Sequence, residues 1–125
     1  MATTLPIRTA VSKKDWIIDS GATDHLYSDL MQFLKLWKLR TPLPVHIGNG
    51  KAIRATGIGT VLLCTNSIEP LHLTAVLLVP DIRHNLISVN RLDEAYGITF
   101  RNSRCHISDK NGRVMVEAYC RDSLY

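Results

Sequence analysis

Paired cysteines are missing from this sequence. Its three cysteines, Cys64, Cys105 and Cys120, are an odd number with long and unequal spacing, and none has a second cysteine or a histidine three residues away. Structural zinc sites and the disulfide frameworks of small secreted domains need such pairs. The sequence therefore predicts free, partly buried thiols in a reducing compartment, with Cys64 buried in a strand. No metal site and no cofactor are expected.

Long apolar runs are also missing. The longest ones, such as TAVLLVP at residues 74–80, fall far short of the roughly 18 to 20 residues that cross a membrane. The N-terminus has no apolar segment typical of a signal peptide. We expect a cytoplasmic protein without membrane contact.

Charge of one sign is not in large excess. Fifteen Lys and Arg face eleven Asp and Glu, for a net charge of +4, and the basic residues are scattered along the chain rather than stacked on one periodic face. Nucleic-acid binding is therefore not indicated.

With 125 residues, 46% of them hydrophobic, the chain is expected to fold as one domain. A domain of this size leaves much apolar surface exposed, so two copies would gain from pairing.

Alternating apolar residues and turn signals predict many short strands. Residues 15–19, DWIID, read as a buried strand that ends in a tight turn. Residues 42–64 read as a hairpin whose tip is Gly48-Asn49-Gly50, and glycines in its returning strand predict a bulge or sharp bend there. A further pair of extended segments is expected in residues 71–80. Three more are expected in residues 98–119, around an Asn-Gly turn.

Two segments have apolar residues at helical spacing instead. Leu30, Phe33, Leu34 and Trp37 predict a short helix or helical turn, with Phe33 and Trp37 in the core or an interface. Residues 85–97 predict a helix that closes on a glycine. Residues 1–13 are expected to be an arm or linker with little structure of their own. The fold class that results is all-β, a small closed barrel with one short helix in its C-terminal half.

The stretch DWIIDSGATDH, residues 15–25, is the strongest candidate for chemistry. Asp-Ser-Gly after an apolar run is by itself most often a strand-ending turn. The alternative is that Asp19 is one of two carboxylates that share a proton and together activate water. The chain carries a single copy of this motif. A complete site would therefore need a two-fold homodimer.

Three blocks together resemble the retropepsin-like aspartic protease of copia-type LTR retrotransposons. They are WIIDSGATDH, VHIGNGKAIRATGIGTV and VLLVPDIRHNLISVNRL, in that order and spacing within residues 15–100. The resemblance implies a homodimeric endopeptidase of a Gag-Pol polyprotein, located within virus-like particles. It also implies a protease domain over residues 14–100, followed by a C-terminal hairpin extension, residues 101–125, at the dimer interface.

The same resemblance implies roles for individual residues. The matched catalytic residues are Asp19, Ser20 and Gly21. The matched substrate-binding residues are Ala22, Thr23 and Asp24 beside the motif, and Ile47, Gly48, Asn49 and Gly50 in a flap.

The chain departs from the retroviral members of this fold at two places. Those members commonly carry an acidic residue where Thr23 stands and a Gly-Arg pair where this chain has Arg83-His84. The intrachain ion pair that those residues imply is therefore not expected here. His25, beside the motif, is expected to be a surface or core histidine, because a carboxylate pair needs no imidazole.

Two other classes of function stay open at this point. The first is a domesticated, non-catalytic dimer that binds peptides or serves as a scaffold. The intact Asp19 speaks against it, because a binding module has no need of a carboxylate on the dimer axis. The second is a nucleic-acid-binding piece of a retroelement polyprotein, against which the absence of a zinc knuckle and of a basic face speaks.

Overall fold

The computed structural model describes residues 2–5, 16–46, 50–65, 68–92 and 94–119. Strands dominate it, and the helical segments in these ranges are short 3-10 turns, among them Leu30–Gln32 and Val89–Arg91. The strands are β1 (Ala2–Leu5), β2 (Trp16–Asp19), β3 (Leu26–Tyr27), β4 (Phe33–His46), β5 (Ala52–Leu63), β6 (Leu71–Leu78), β7 (Asn85–Ser88), β8 (Gly97–Arg101), β9 (Arg104–Ser108) and β10 (Val114–Tyr119). The all-β class is therefore confirmed.

All ten strands belong to one sheet. Its order is β4-β5-β6-β3-β7-β2-β1-β10-β9-β8. The pairs β2–β7 and β3–β6 are parallel, and the other pairs are antiparallel. Among the described strands, β4 and β8 stand at opposite ends of this order and are not paired. The sheet is a curled half-barrel, where the sequence predicted a closed barrel.

Side chains from distant strands meet because the sheet curls. A first cluster joins Val61 and Leu73 of β5 and β6 to Ile107 and Val116 of β9 and β10. Trp16 and Tyr27 lie in this cluster with ring centroids 4.8 Å apart. A second cluster lies near the start of β3 and the end of β6, with its buried members Leu26, Ala55, Leu77, Val79 and Ile82.

The hairpin predicted at residues 42–64 is confirmed, and it is longer than expected because all of β4 takes part in it. The register shifts twice between β4 and β5, but the extra residues lie in β4, opposite the glycine-containing strand in which the sequence predicted a bulge or bend. At Gly59 the two backbones come so close that a Cβ atom would lie 1.9 Å from the carbonyl oxygen of Lys35. At Gly57 a Cβ atom would lie 2.9 Å from a methyl carbon of Leu36. Gly59 therefore requires glycine, because the contact is with backbone, whereas at Gly57 the Leu36 side chain could move aside.

The helix predicted around Leu30 is wrong beyond one 3-10 turn. Residues 33–46 are strand β4, in which Phe33, Leu36 and Leu39 are partly buried at every third position. The register shifts turn the strand as it proceeds, so its buried positions recur with a spacing close to that of a helix. Phe33 does pack on the first cluster, whereas Trp37 is 61% exposed and outside the core.

The helix predicted over residues 85–97 is also wrong. Asn85–Ser88 form strand β7, which pairs in parallel with β2, and Val89–Arg91 form a single 3-10 turn. The apolar residues of this segment serve different parts of the core. Leu86 packs on the second cluster, while Val89 and Leu92 pack on the first. Packing and pairing with β2 thus outweigh a local pattern typical of a helix.

The remaining predictions differ in outcome. The expected pair of segments in residues 71–80 is one strand, β6, interrupted at Ala75, which has a positive φ of 52°. The three segments after residue 97 are confirmed as β8, β9 and β10. They lie in the same sheet as the rest, so a boundary at residues 100/101 falls within β8. Ala2–Leu5 of the predicted arm pair with β2 and β10.

Cys64 and Cys105 are free thiols. Cys105 is buried, and burial raises its pKa to about 12. Cys64 is exposed just after β5, so the prediction that it is buried in a strand is wrong. Cys120 lies outside the described residues. Within the ranges described, no helix has the length and apolar character needed to cross a membrane.

Candidate functional site

Asp19 is the last residue of β2, at the point where a buried strand gives way to a loop. Its backbone pairs with Ser88 of the parallel strand β7 on one side and with Ala2 of β1 on the other. Its side chain is partly exposed, and the backbone N–H of Gly21 donates a hydrogen bond of 2.8 Å to Asp19 Oδ1. The turn therefore holds this carboxylate in one orientation at the mouth of a cleft.

The cleft in front of Asp19 has a volume of about 480 Å³. One wall is the loop that follows β2, and the other is the part of β4 that leads to the hairpin tip. The residues that line it are Asp19, Gly21, Ala22, Thr23, Asp24, Leu26, Leu43, Pro44, Val45, His46, Leu77 and Leu86. A cleft of this size that is lined mainly by apolar side chains, with a carboxylate at one end, suits a ligand with apolar groups.

The loop after Asp19 is held by the segment that follows β7. Ser88 Oγ donates a hydrogen bond of 2.7 Å to the carbonyl oxygen of Ala22. Asn90 Nδ2 donates to the carbonyl oxygen of Ser20 over 3.3 Å, and Arg91 Nε donates to that of Thr23 over 2.9 Å. Three carbonyls of the loop thus find side-chain donors, which restricts the loop to one conformation.

Asp24 lines the cleft and also helps to hold the loop in place. Its Oδ1 lies 3.3 Å from a terminal nitrogen of Arg91, and its Oδ2 accepts a hydrogen bond of 3.2 Å from Thr23 Oγ1. An ion pair within the chain is therefore present, but it joins Asp24 to Arg91 and not the positions of Thr23 and Arg83-His84, for which no pair was expected. Arg83 and His84 are exposed in the turn before β7. The Asp24–Arg91 pair is partly exposed, so it orients the loop more than it stabilises the fold.

His25 is fully buried between the loop and β7. Its Nδ1 accepts a hydrogen bond of 3.0 Å from the backbone N–H of Ser88, so the proton of the neutral ring is on Nε2. Nε2 lies 3.3 Å from the carbonyl oxygen of Arg91 and donates to it. Burial lowers the pKa of His25 to about 4. The histidine is thus a neutral core residue that joins the loop to β7.

The structure describes most of the residues that the sequence assigned to the site. Five of them line the cleft, namely Asp19, Gly21, Ala22, Thr23 and Asp24. Ser20 lies between two of these, and its carbonyl is bound by Asn90. Gly50 is exposed with a φ of +70°, the left-handed conformation that favours glycine. Ile47, Gly48 and Asn49 lie outside the described residues.

Sequence reasoning missed the residues that hold the loop, Ser88, Asn90 and Arg91. The available signal was the polar residues Ser88, Asn90 and Arg91 themselves, which follow the apolar residues Leu86 and Ile87 of β7. The sequence analysis had placed them on a predicted helix. It also missed Leu43, Pro44 and Val45 as lining residues. Among the described residues no group of three or more His, Cys, Asp and Glu side chains is placed to hold a metal ion.

Comparison with known proteins assigns the family. The family described as "Pol polyprotein, beta-barrel domain" matches residues 16–97, about two thirds of the chain, including the loop and the hairpin. The chain belongs to this family. The matched span begins with β2 and closes at the start of β8. No solved structure matches the chain at a significant level.

Individual relatives are found in plant retrotransposons. The chain is 33% identical over 124 residues to the "Retrovirus-related Pol polyprotein from transposon RE1" of Arabidopsis thaliana, and 32% identical over 124 residues to that of transposon RE2. It is 31% identical over 116 residues to that of transposon TNT 1-94 of Nicotiana tabacum. These alignments cover 97%, 97% and 90% of the chain but only 8% of each relative. The chain thus corresponds to a small part of each polyprotein.

The low pKa of His25 predicts a specific loss of stability in acid. Above about pH 6.5 the ring is neutral in the folded and the unfolded chain. Between that pH and about 4, His25 binds a proton in the unfolded chain but not in the folded chain. The free energy of unfolding therefore falls as the pH falls. The expected loss from this residue is about 2 kcal/mol at about pH 5.

Urea unfolding of the wild type and of His25→Gln over this pH range measures the effect. The variant should be less stable at neutral pH and should lack this part of the pH dependence. His84→Gln is the matched control, because His84 is exposed. An unchanged pH dependence in His25→Gln would show that the ring is not held neutral as described.

Proposed function

We propose that this domain is an aspartic endopeptidase that cleaves peptide bonds in a retrotransposon Gag-Pol polyprotein, with one Asp19 from each of two identical chains. The single observation that carries the proposal is the placement of Asp19. Its carboxylate stands at the end of a buried strand, is held by the Gly21 N–H, and faces a cleft lined on the other side by residues 43–46 of the β4–β5 hairpin.

The chemistry requires a second carboxylate. When two carboxyl groups lie roughly 3 Å apart only one ionises readily, so the charged one takes a proton from water while the neutral one polarises the scissile carbonyl. Asp24 is the other acidic residue of the described cleft lining, and it is engaged by Arg91 and Thr23. The second carboxylate is therefore assigned to Asp19 of a partner chain, which a two-fold axis would bring to the same point.

The cleft suits an extended peptide. Leu26, Leu43, Val45, Leu77 and Leu86 give it apolar walls that can take the side chains of a substrate. Residues 43–46 run along it as part of β4, so the proposed flap is the outer end of the β4–β5 hairpin. Closure of such a hairpin over bound peptide would exclude water from the reaction.

The relatives are consistent with this function. Each is named as a retrovirus-related Pol polyprotein of a transposon, and the chain matches a small part of it. A proteolytic domain within such a polyprotein would have its substrate in the same chain. A non-catalytic peptide-binding dimer remains the alternative, and it differs in one respect that can be tested. It would keep its function without the Asp19 carboxylate.

Asp19→Asn is expected to abolish cleavage while the protein still folds. Loss of the base and of the shared proton should lower turnover by about 10²-fold to 10⁴-fold or more. The assay incubates the domain with its flanking polyprotein and maps the products by mass spectrometry. Asp81→Asn is the matched control, because Asp81 is exposed in the turn before β7. A pepstatin-type inhibitor should stop cleavage and a chelator should not.

Equal activity of Asp19→Asn and Asp81→Asn would contradict the proposal. Cleavage that the chelator stops and the inhibitor spares would contradict it as well. Peptide binding that survives Asp19→Asn, in a wild type that cleaves nothing, would favour the non-catalytic dimer.

Gly50→Val is expected to impair turnover much more than stability. Gly50 has a positive φ and a Cβ there would meet nothing within 4 Å, so valine strains the hairpin tip without disturbing the core. Gly112→Val is the matched control, since Gly112 has a φ of +80° and equally open surroundings in the β9–β10 turn. Peptide-cleavage rates and thermal unfolding of both variants decide the matter. Equal losses of activity in the two variants would contradict a role of the hairpin tip in catalysis.

A further inference from the structure

The charges of this chain are divided unequally over the sheet. In linear order the basic residues are scattered, yet the β4–β5 hairpin, residues 33–63, holds five of the fifteen basic residues and none of the eleven acidic ones. The hairpin therefore carries +5, while the rest of the chain, with ten basic and eleven acidic residues, carries −1. All of the excess positive charge belongs to one end of the sheet.

The neighbouring strand does not neutralise this charge. Strand β6 pairs with β5 and contains no acidic residue, and between residues 30 and 80 the sequence has a single acidic residue, Glu69. The five basic residues are all exposed: Lys35, Lys38, Arg40, Lys51 and Arg54. Positive charge on two adjacent strands, with no acidic residue on the third, attracts polyanions and raises their local concentration.

Three of these cations form a row on the outer strand. Lys35, Lys38 and Arg40 lie on β4, which is the end strand in the order of the described sheet. At about 3.3 Å per residue they span roughly 17 Å along the edge. We define these three residues as the basic row. Lys35 and Lys38 project from opposite faces of the strand, so a flexible ligand with charges repeated along its length can follow the strand edge and meet cations on both faces, whereas a small anion can meet one.

An aromatic side chain lies on the same strand as the basic row. Because the register is regular from Lys35 to Lys38, Trp37 projects from the same face of β4 as Lys35, and Lys38 projects from the other face. Trp37 is 61% exposed, and Leu34 is 59% exposed. An exposed indole beside a cation, on a strand edge that carries further cations, is a combination that binds single-stranded nucleic acid, because bases stack on the ring while the cations meet the phosphates. An acidic peptide would use the cations and leave the ring without a stacking partner.

We propose that the basic row and Trp37 form a binding surface for single-stranded nucleic acid. This surface occupies residues 35–40 of β4, whereas the last four residues of the strand, 43–46, line the Asp19 cleft. Binding of nucleic acid and hydrolysis of peptide are thus assigned to separate parts of one strand. The proposal stands whether or not the domain is a protease.

Fluorescence anisotropy with a labelled uridine oligonucleotide of about 20 nucleotides tests the proposal. The affinity should fall steeply as salt rises from about 50 to about 200 mM, because phosphate contacts release counterions. The triple variant Lys35→Gln, Lys38→Gln, Arg40→Gln should bind about tenfold more weakly or worse. Its salt slope should be lower by about 2, since each lost phosphate contact on a single strand contributes about 0.7.

Two further variants separate this surface from net charge alone. Arg83→Gln, Arg101→Gln, Arg113→Gln removes the same charge at exposed positions outside the hairpin and should bind almost as the wild type does. Trp37→Ala should weaken binding of the single strand by about tenfold with little change in the salt slope. Unfolding curves of each variant check that the fold is retained.

Three results would overturn the proposal. One is equal weakening by the two triple variants, and another is the absence of binding at the lowest salt. The third is binding of a glutamate-rich peptide as tightly as the oligonucleotide with no effect of Trp37→Ala, which would assign the row to an acidic protein segment instead.

Discussion

The parallel pairing of β2 with β7 is the constraint on which the rest of this structure depends. Its register sets Asp19 opposite Ser88, so the chain leaves both strands at the same edge of the sheet. The loop after β2 and the 3-10 turn after β7 must then lie side by side. The bonds to the loop from Ser88, Asn90 and Arg91, and those of the buried His25 ring, follow from that adjacency.

Much of the fold could be predicted from local signals, and the errors have a common cause. Asn111-Gly112 marked a real turn, and the strands on either side of Gly48-Asn49-Gly50 pair as predicted, because the conformational needs of such turns are local. Both helix predictions failed where apolar residues recur every three or four positions. In β4 that spacing arises from register shifts, and in residues 86–92 it arises because the segment packs against two separate clusters. Neither cause can be read from the segment itself.

For the candidate site, the sequence identified the loop but not its support. Asp19 to Asp24 stand out as a motif, whereas Ser88, Asn90 and Arg91 acquire meaning only when β7 is placed beside β2. The ion pair between Asp24 and Arg91 joins residues 67 positions apart, and no local pattern points to it. The gathering of positive charge on β4 and β5 is visible in the sequence once the hairpin is known to be one unit. The basic residues could be counted in the sequence, but their gathering on one hairpin could be recognised only from the structure.

The central claim is that one catalytic site is built from two chains, each of which supplies Asp19. Wild-type and Asp19→Asn chains, unfolded together and refolded in varied proportions at constant total protein, test it most directly. If every site needs two wild-type chains, activity follows the square of the wild-type fraction, so an equal mixture keeps about a quarter of the full activity. An equal mixture that keeps about half, in proportion to the wild-type chains present, would place the whole site within one chain and contradict the account.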